Sequence, residues 1–471
     1  MEMLTFSLNT KSKIPLYHQL YSYIKEEIQN GRIPINTKLP SKRKLSSYMN
    51  ISQNTILAAY DQLIEEGYLM PQERKGFYVN KIDYLQKLQI PTENDIPKYQ
   101  IKEPSVTYDF SYHGVDVPTF PYATWRKLMK EVINEYDAQL LQQGDSLGFL
   151  QLRLSIANYL HQSRGVDCLA NQIIISSGTE ILFQSLIQLF DQNSIYGIEN
   201  PGYEKLNQLF TANRAKFKAV KIDRFGMIPE EISQSNANIL CITPAHQFPS
   251  GEIMPITRRM QLLNWANEVF GRYLIEDDYD SEFKYSGKPI PALQGLDTNE
   301  KVIYMGSLSK SLSPTIRVSY MVLPPHLIKK YIEKLSYILC PVPIMEQKVL
   351  FRFIKEGYFE RHLNKMRNIY KKKRDMLTKS ILELHCQIKI LGADAGLHLL
   401  LSIPNGMTEE QLILTALQNG VKVYGLSKYY LDKSYTKLQP TVLIGFATMK
   451  EEEIEKAVLM LYKAWFCSKE D

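Results

Sequence analysis

RYLIEDDYDSEF (residues 272–283) and KVIYMGSLSKSLS (residues 301–313) share one pattern, a short apolar run that breaks into a polar cluster. NQIIISSGTE (residues 171–180) and NILCITPAHQFPSG (residues 238–251) repeat it, and a helical or loop segment follows each. Apolar runs bounded in this way read as buried strands, and their alternation with helices predicts an α/β domain with a mostly parallel sheet. Ligands of such sheets gather at the carboxyl ends of the strands, so these clusters are expected to converge on one pocket.

Each cluster has its own chemistry. Ser177-Gly178-Thr179 stands between a β-rich run and the helical stretch EILFQSLIQLF. Its N–H groups and hydroxyls suit a phosphate, although a plain strand-to-helix turn has the same composition. Asp277 and Tyr279 are two residues apart, so an extended strand end points a carboxylate and a phenol the same way. Alone, they read equally as a metal site or a solvated acidic loop. Lys310 follows IYM among small hydroxyl residues. A lysine there forms an imine with a carbonyl once its pKa is lowered, whereas a solitary lysine after a strand is usually surface decoration.

The conjunction is more specific than its parts. A phosphate turn, the aromatic Asn200-Pro201-Gly202-Tyr203, TPAHQFPSG, D-x-Y and S-x-S-K, in this order over residues 109–465, resemble the fold-type I aminotransferases that bind pyridoxal 5′-phosphate. The resemblance implies that Lys310 forms the internal aldimine, Asp277 pairs with the pyridinium nitrogen and Tyr279 hydrogen-bonds the ring hydroxyl. It implies that Tyr203 stacks on the ring and that Ser177, Gly178, Thr179, Ser307 and Ser309 hold the phosphate, with Arg317 neutralising it or meeting a ligand carboxylate. Two features depart from the pattern. Phe248-Pro249-Ser250-Gly251 stands where these enzymes commonly carry Asn-Pro-x-Gly, so the asparagine contact to the ring hydroxyl is missing, with His246 and Gln247 as candidate substitutes. LIGFA (residues 443–447) replaces the usual substrate-carboxylate arginine, leaving Lys205 and Lys428 as candidate effector contacts. A lysine lacks the planar fork of an arginine.

The N-terminal segment has a different periodicity. Leu16, Leu20, Ile24 and Ile28 stripe one helix that ends at Gly31. Ser41 caps a second, short helix with Leu45, Tyr48 and Met49 inward, and Ser52 caps a third, with Ile56, Ala59, Tyr60, Leu63 and Ile64 on its apolar face. YLMPQERKGFYV (residues 68–79) then reads as a hairpin wing around Arg74-Lys75-Gly76. Residues 1–80 carry ten Lys/Arg against seven acids, half of the net charge of +6. From Pro15 to Val79, with LPSKRKL, SQNT, LIEEGYL and RKGFYV, the chain resembles a GntR-type winged helix-turn-helix DNA-binding domain. The resemblance places Arg43, Ser52, Gln53, Asn54, Thr55 and Gly76 at DNA, and the wing can add Arg74 or Lys75. Gln53 stands where arginine is frequent, and Gln53 or Asn54 can pair bidentately with adenine.

The chain has 471 residues, 44% hydrophobic and 23% charged, which excludes disorder, collagen and coiled coil. Neither a membrane-length apolar run nor a signal peptide is apparent, so a cytoplasmic protein, nucleoid-associated when on DNA, is expected. Cys168, Cys241, Cys340, Cys386 and Cys467 form no CxxC pair and predict neither disulfides nor a zinc site. The division reads as 1–80 DNA-binding, 81–108 linker with Pro91, Pro97 and Pro104, and 109–471 cofactor-binding and dimerising. The predicted fold class is thus α/β, a winged helix-turn-helix plus a large fold-type I domain with a smaller C-terminal α/β part.

That combination resembles the MocR/GabR family of bacterial transcriptional regulators. The resemblance implies a homodimer, head-to-tail in arrangement, DNA with repeated half-sites, and an effector that is either pyridoxal phosphate or an amino compound such as γ-aminobutyrate forming an external aldimine. The alternative is an active aminotransferase with an appended DNA-binding domain, and whether the chain is an enzyme stays open at this point.

Overall fold

The computed structural model describes residues 8–10, 12–81, 106–135, 138–285, 290–384, 387–432 and 439–467. The chain divides into two compact units, residues 1–102 and 103–471.

The smaller unit follows its caps. Helix α1 (Leu16–Gln29) buries Leu20, Tyr21, Ile24 and Ile28. Ser41 accepts from the Lys44 N–H at the start of α2 (Lys42–Met49), and Asn50 closes that helix in the left-handed conformation. Ser52 accepts from the Thr55 N–H at the start of α3 (Gln53–Glu65), which buries Ile56, Ala59, Tyr60 and Leu63. Strands β1 (Leu69–Gln72) and β2 (Gly76–Val79) form the wing. Residues 36–39 add a third piece to it, because Leu39 N–H donates to the Phe77 carbonyl and Val79 N–H to the Thr37 carbonyl. Tyr48 was expected inward but is 47% exposed. Leu45 and Met49, four residues apart, already fill the only face that a two-turn helix turns to the core.

The larger unit opens with β3 (Tyr108–Asp109), α4 (Tyr122–Asn134) and α5 (Leu150–Arg164). Strands and helices then alternate as β4 (Ile173–Ser176), α6 (Thr179–Leu189), β5 (Ile195–Asn200), α7 (Glu204–Ala212), β6 (Lys216–Asp223), β7 (Gly226–Met227), α8 (Pro229–Ser235), β8 (Ile239–Ile242), α9 (Ile256–Glu268), β9 (Tyr273–Asp278), β10 (Val302–Ser307) and β11 (Ser319–Val322). These strands form one eight-stranded sheet in the order β4-β11-β10-β9-β8-β5-β6-β7. All run the same way except β11 and β7. Side chains of β4 alternate between the faces, Ile174 joining the core under α6 and Ile173 and Ile175 the core under α5.

Helices α10 (Pro325–Leu335), α11 (Ile344–Lys355) and α12 (Tyr358–Leu384) lead into a smaller part. It contains β12 (Lys389–Leu391), β13 (His398–Ser402), α13 (Glu409–Gln418), β14 (Val421–Lys422), β15 (Tyr424–Gly425), β16 (Thr441–Gly445) and α14 (Glu451–Phe466). Its antiparallel sheet, β12-β13-β16-β15, shares one core with α12, α13 and α14.

Most of the expected linker lies outside the described residues, but its last residues do not behave as one. Thr107 and Tyr108 donate to the Gly420 carbonyl, and β3 pairs with β14. The strand binds early sequence to the C-terminal part, a long-range pairing that local composition cannot announce. Pro91, Pro97, Pro104 and Cys386 fall outside the described residues, and Cys168, Cys241, Cys340 and Cys467 are free thiols. Among the described residues no helix is long and apolar enough to cross a membrane.

Candidate functional site

The carboxyl ends of β4, β5, β8, β9 and β10 open on a cavity of about 460 Å³ within the larger unit. Lys310 enters it just beyond β10, and its Nζ donates to the Tyr112 carbonyl. Desolvation pushes the amine down to about 8, with Asp280 pulling the other way. Asp277, on β9, has its Oδ1 buried without a protein partner. Burial raises this carboxyl to about 7, and Asp278, Glu180, Glu199 and Asp280 add to the effect. Tyr279 lines the same wall, with its hydroxyl 2.9 Å from His246 Nδ1. Its neighbour Asp278 is turned inward instead, accepting from Arg164 Nε at 2.8 Å and from the Tyr304 hydroxyl at 2.7 Å. Alternation along the strand therefore sends Asp277 and Tyr279 to the cavity and Asp278 to the core.

One end of the cavity is suited to an anion. Gly178 (φ 108°) precedes Thr179, the first residue of α6, so helix N–H groups face the space. Arg317 lies across this turn, with Nη2 donating to the Ser177 carbonyl at 3.3 Å and to Glu180 Oε2 at 3.1 Å. Ser307 and Ser309 line the cavity and are linked, with Ser307 Oγ donating to Ser309 Oγ at 3.0 Å and Ser319 Oγ donating to Ser307 Oγ at 3.1 Å. Of the expected phosphate residues, Gly178, Thr179, Ser307, Ser309 and Arg317 meet at the cavity, whereas Ser177 contributes its backbone carbonyl to Arg317.

The other end is aromatic and cationic. Tyr203 lines it, edge-on to Phe248 at 5.9 Å. Phe248 also meets Tyr112, Tyr279, His398 and Tyr429, so an aromatic cluster occupies the position where an asparagine was noted as missing. Lys205, in contrast, lies 5.9 Å over the Tyr203 ring and 3.9 Å from Glu180, the carboxylate that also holds Arg317, so it stands toward the anion-suited end. Lys428 stands behind the lining and donates to the Tyr112 hydroxyl at 3.0 Å, against the rings of Tyr112, Tyr424 and Tyr429. His113 stacks on Tyr112 and is pushed down to about 4 by burial, then by Lys310, Lys205 and Lys428.

Two expected contacts sit elsewhere. Gln247 is a buried staple of its own loop: its amide donates to the Pro201 carbonyl at 3.0 Å and the Phe248 carbonyl at 2.6 Å, and its Oε1 accepts from Ser250 N–H at 3.0 Å. A side chain so fully paired has nothing left for a ligand. His246 is 1% exposed and lies behind Tyr279, bonded to Asp280. Thr243, Asp280 and His398 line the cavity and were not singled out from sequence, nor were Tyr112 and His113. Asp280 lies past the end of β9, where strand alternation, which would have put it on the Asp278 face, no longer holds, and SYHG carries no local signal.

In the smaller unit, Arg43, Gln53 and Asn54 are exposed at the starts of α2 and α3, and Arg74 and Lys75 at the wing tip. Arg74 takes a left-handed conformation (φ 61°) and Gly76 φ 110° to make that tip. Ser52 and Thr55 hydroxyls are 2.8 Å apart and cap α3, so these two side chains first serve the helix end. A recognition helix whose N-terminal side chains are free, flanked by basic residues, matches the docking geometry of this motif on a major groove.

Two family models match the chain: bacterial regulatory proteins of the gntR family over residues 16–79, and aminotransferase class I and II over residues 116–461. The uncharacterized HTH-type transcriptional regulator YdeL of Bacillus subtilis is 42% identical over 460 residues, covering 97% of this chain and 98% of its own. The probable rhizopine catabolism regulatory protein MocR of Rhizobium meliloti is 28% identical, covering 97% and 95%. Among solved structures, kynurenine aminotransferase from Pyrococcus horikoshii superposes with a TM-score of 0.68 at 25% identity, covering 78% of this chain and 92% of that one. The chain belongs to the MocR/GabR family of HTH-type transcriptional regulators, in which a gntR-type DNA-binding domain is joined to an aminotransferase class I and II domain.

Proposed function

We propose that the larger unit binds pyridoxal 5′-phosphate and that this cofactor, with a small amino compound, sets the affinity of the gntR-type unit for DNA. The observation that carries the reading is the Asp277 Oδ1 atom, a buried carboxylate oxygen without a partner in the cavity that Lys310 enters. A buried acceptor is normally paired, and a protonated pyridine nitrogen is a fitting donor. The anion-suited end supports the same group, because Gly178 keeps open the space where Arg317, Thr179, Ser307 and Ser309 meet. Lys310 would hold the aldehyde carbon, Asp277 the ring nitrogen, Tyr279 the ring hydroxyl and Tyr203 the ring face. When bound, the cofactor supplies an electron sink to an amino compound.

The chain's own residues do the rest. Lys310, at about 8, takes up or releases a proton at Nζ near neutral pH. Asp277, at about 7 when unpaired, ionises once a cation pairs with it. Lys428, whose charge adds to burial, Lys310 and Lys205 in depressing His113, favours an effector with an anionic group at the aromatic end. Linkage requires the effector to prefer one DNA-binding state. The protein acts as a head-to-tail homodimer on repeated half-sites. The exposed apolar face of α4, with Tyr122 62% and Ile133 50% exposed, supports a second copy.

Visible absorption of the purified protein and a mobility-shift titration test the reading together. An absorption band that amino compounds shift persistently, with a DNA response lost in Lys310→Ala, is the expected result. DNA binding and ligand response unaltered in Lys310→Ala would refute it. A second reading, an active aminotransferase, is favoured by the proton-exchanging amine of Lys310, and turnover of an amino donor with a keto acid would support it. A response to pyridoxal phosphate alone, with amines inert, would make the cofactor itself the effector.

A further inference from the structure

His246 Nδ1 lies 3.0 Å from each oxygen of Asp280 and 2.9 Å from the Tyr279 hydroxyl, while its Nε2 is buried without a partner. A carboxylate only accepts, and a proton on Nε2 would be buried with no acceptor, so the ring carries its proton on Nδ1. That one N–H is shared between Asp280 and the Tyr279 oxygen. The tyrosine is therefore an acceptor toward the imidazole and keeps its own proton for another partner. Burial first, then Asp280, Asp277, Glu199 and Asp278, hold the Tyr279 hydroxyl well above its usual range, so it stays protonated.

The pair is also fixed in place. A Cβ on Gly396 (φ +70°) would fall 1.9 Å from His246 Cε1 and 2.6 Å from Asp280 Oδ2, so bare backbone of the C-terminal part packs against both. The His398 ring, two residues on from Gly396, also lies 4.9 Å from that of His246, and its Nε2 pairs with the Pro249 carbonyl at 3.1 Å. His246, Asp280 and His398 gather closely enough to hold a cation. The carboxylate is already engaged with the Nδ1 proton, which a cation bound through that nitrogen would have to displace.

We infer that His246 and Asp280 are positioning residues for Tyr279, making its hydroxyl a committed donor to the cavity where Phe248 has removed the asparagine contact. This rests on the cofactor reading, since the partner of that hydroxyl is the ring oxygen of the bound cofactor. Asp280→Leu keeps the bulk but leaves Nδ1–H without its carboxylate acceptor, so the ring that orients Tyr279 loses its anchor; an asparagine there would keep an oxygen that accepts from Nδ1–H.

The test is the pH titration of the visible band of the cofactor-loaded, full-length protein. A phenol donating to the ring oxygen favours the form without a proton on the neighbouring nitrogen, so losing that donor raises the midpoint. Tyr279→Phe and His246→Leu are each expected to raise it by about one pH unit, and the double variant no further than Tyr279→Phe alone. Asp280→Leu gives the discriminating sign. The charge of Asp280 raises the Lys310 pKa, so loss of charge by itself lowers the midpoint, whereas loss of the positioned donor raises it. A rise supports the inference. A fall or no change in Asp280→Leu, or additive shifts for His246→Leu and Tyr279→Phe, overturns it. Should Asp280→Leu fail to fold, the His246→Leu and Tyr279→Phe cycle decides. A wild-type protein without a band on adding pyridoxal phosphate overturns the cofactor reading and the inference together, whereas a normal wild-type band with an unmoved Asp280→Leu overturns the inference alone.

Discussion

Arg317 can lie across the turn after β4 only because residue 178 is glycine: a Cβ on Gly178 would stand 2.2 Å from Arg317 Nη2. The positive φ of Gly178 adds a second reason for glycine there. Gly178→Ala should therefore displace the guanidinium and reduce affinity for pyridoxal phosphate by about tenfold or more, equivalent to about 1.4 kcal/mol. Titrating apo-protein with the cofactor and following the visible band checks this, and affinity equal to wild type would mean Arg317 does not serve that end of the cavity.

Stability should fall as pH rises from about 6.5 to 8 in the cofactor-free protein. Glu199 is raised to about 7, first by burial, against hydrogen bonds from Thr243 and Gln247. The folded state thus holds a proton that the unfolded chain has already lost, and that contribution disappears as pH passes the folded pKa. Asp277 and Glu282, also raised to about 7, act in the same direction. The depressed histidines His113, His362 and His398 oppose this fall only until the unfolded chain's imidazoles have lost their protons, about one pH unit above 6.5, and Lys310 acts oppositely only above about 8. Glu199→Gln should remove about 1 kcal/mol of this slope. Thermal unfolding of apo wild type and variant at both ends of the window measures it.

Arg43 is exposed at the start of α2. If it neutralises one phosphate, Arg43→Ala lowers DNA affinity and reduces the log–log salt slope by about one, uniformly across sequences. Fluorescence anisotropy at several salt concentrations reads the slope. Relaxed preference at one base pair would instead make it a base reader, and no change in either quantity would place the DNA face elsewhere.

Lys428 is held among three tyrosine rings and depresses His113 together with Lys310 and Lys205. Lys428→Met should raise the His113 pKa, as followed by NMR, and weaken binding of amino compounds that carry a carboxylate by about tenfold. Binding of pyridoxal phosphate should be unchanged, because Lys428 stands outside the cavity lining.

Much of the site was legible because strand ends report themselves locally. Asp277, Tyr279, Ser307, Ser309 and Lys310 each follow a short apolar run, and the parallel sheet carries all of them to one edge. The caps Ser41 and Ser52 and the left-handed Asn50 were likewise readable, since capping depends on neighbours a few residues away. The place of Gln247 was not legible, because its amide is taken by the carbonyls of Pro201 and Phe248, a pairing made by loop closure.

The sequence by itself determined the two-unit organisation, the winged helix-turn-helix, the α/β class and the cavity-facing edge of the sheet, all properties of period, capping and strand polarity. Only the tertiary structure decided what closes the cavity from the other side. Tyr112 and His113 reach it because β3 pairs with β14 and because Gly445 lets Ser111 pass, where a Cβ would be 2.3 Å from the Ser111 carbonyl. His246 was placed behind Tyr279 by its bond to Asp280 and by the bare backbone at Gly396. These contacts join segments from 34 to more than a hundred residues apart or depend on the absence of a side chain. Their physical cause is close packing between parts of the chain that no local pattern connects.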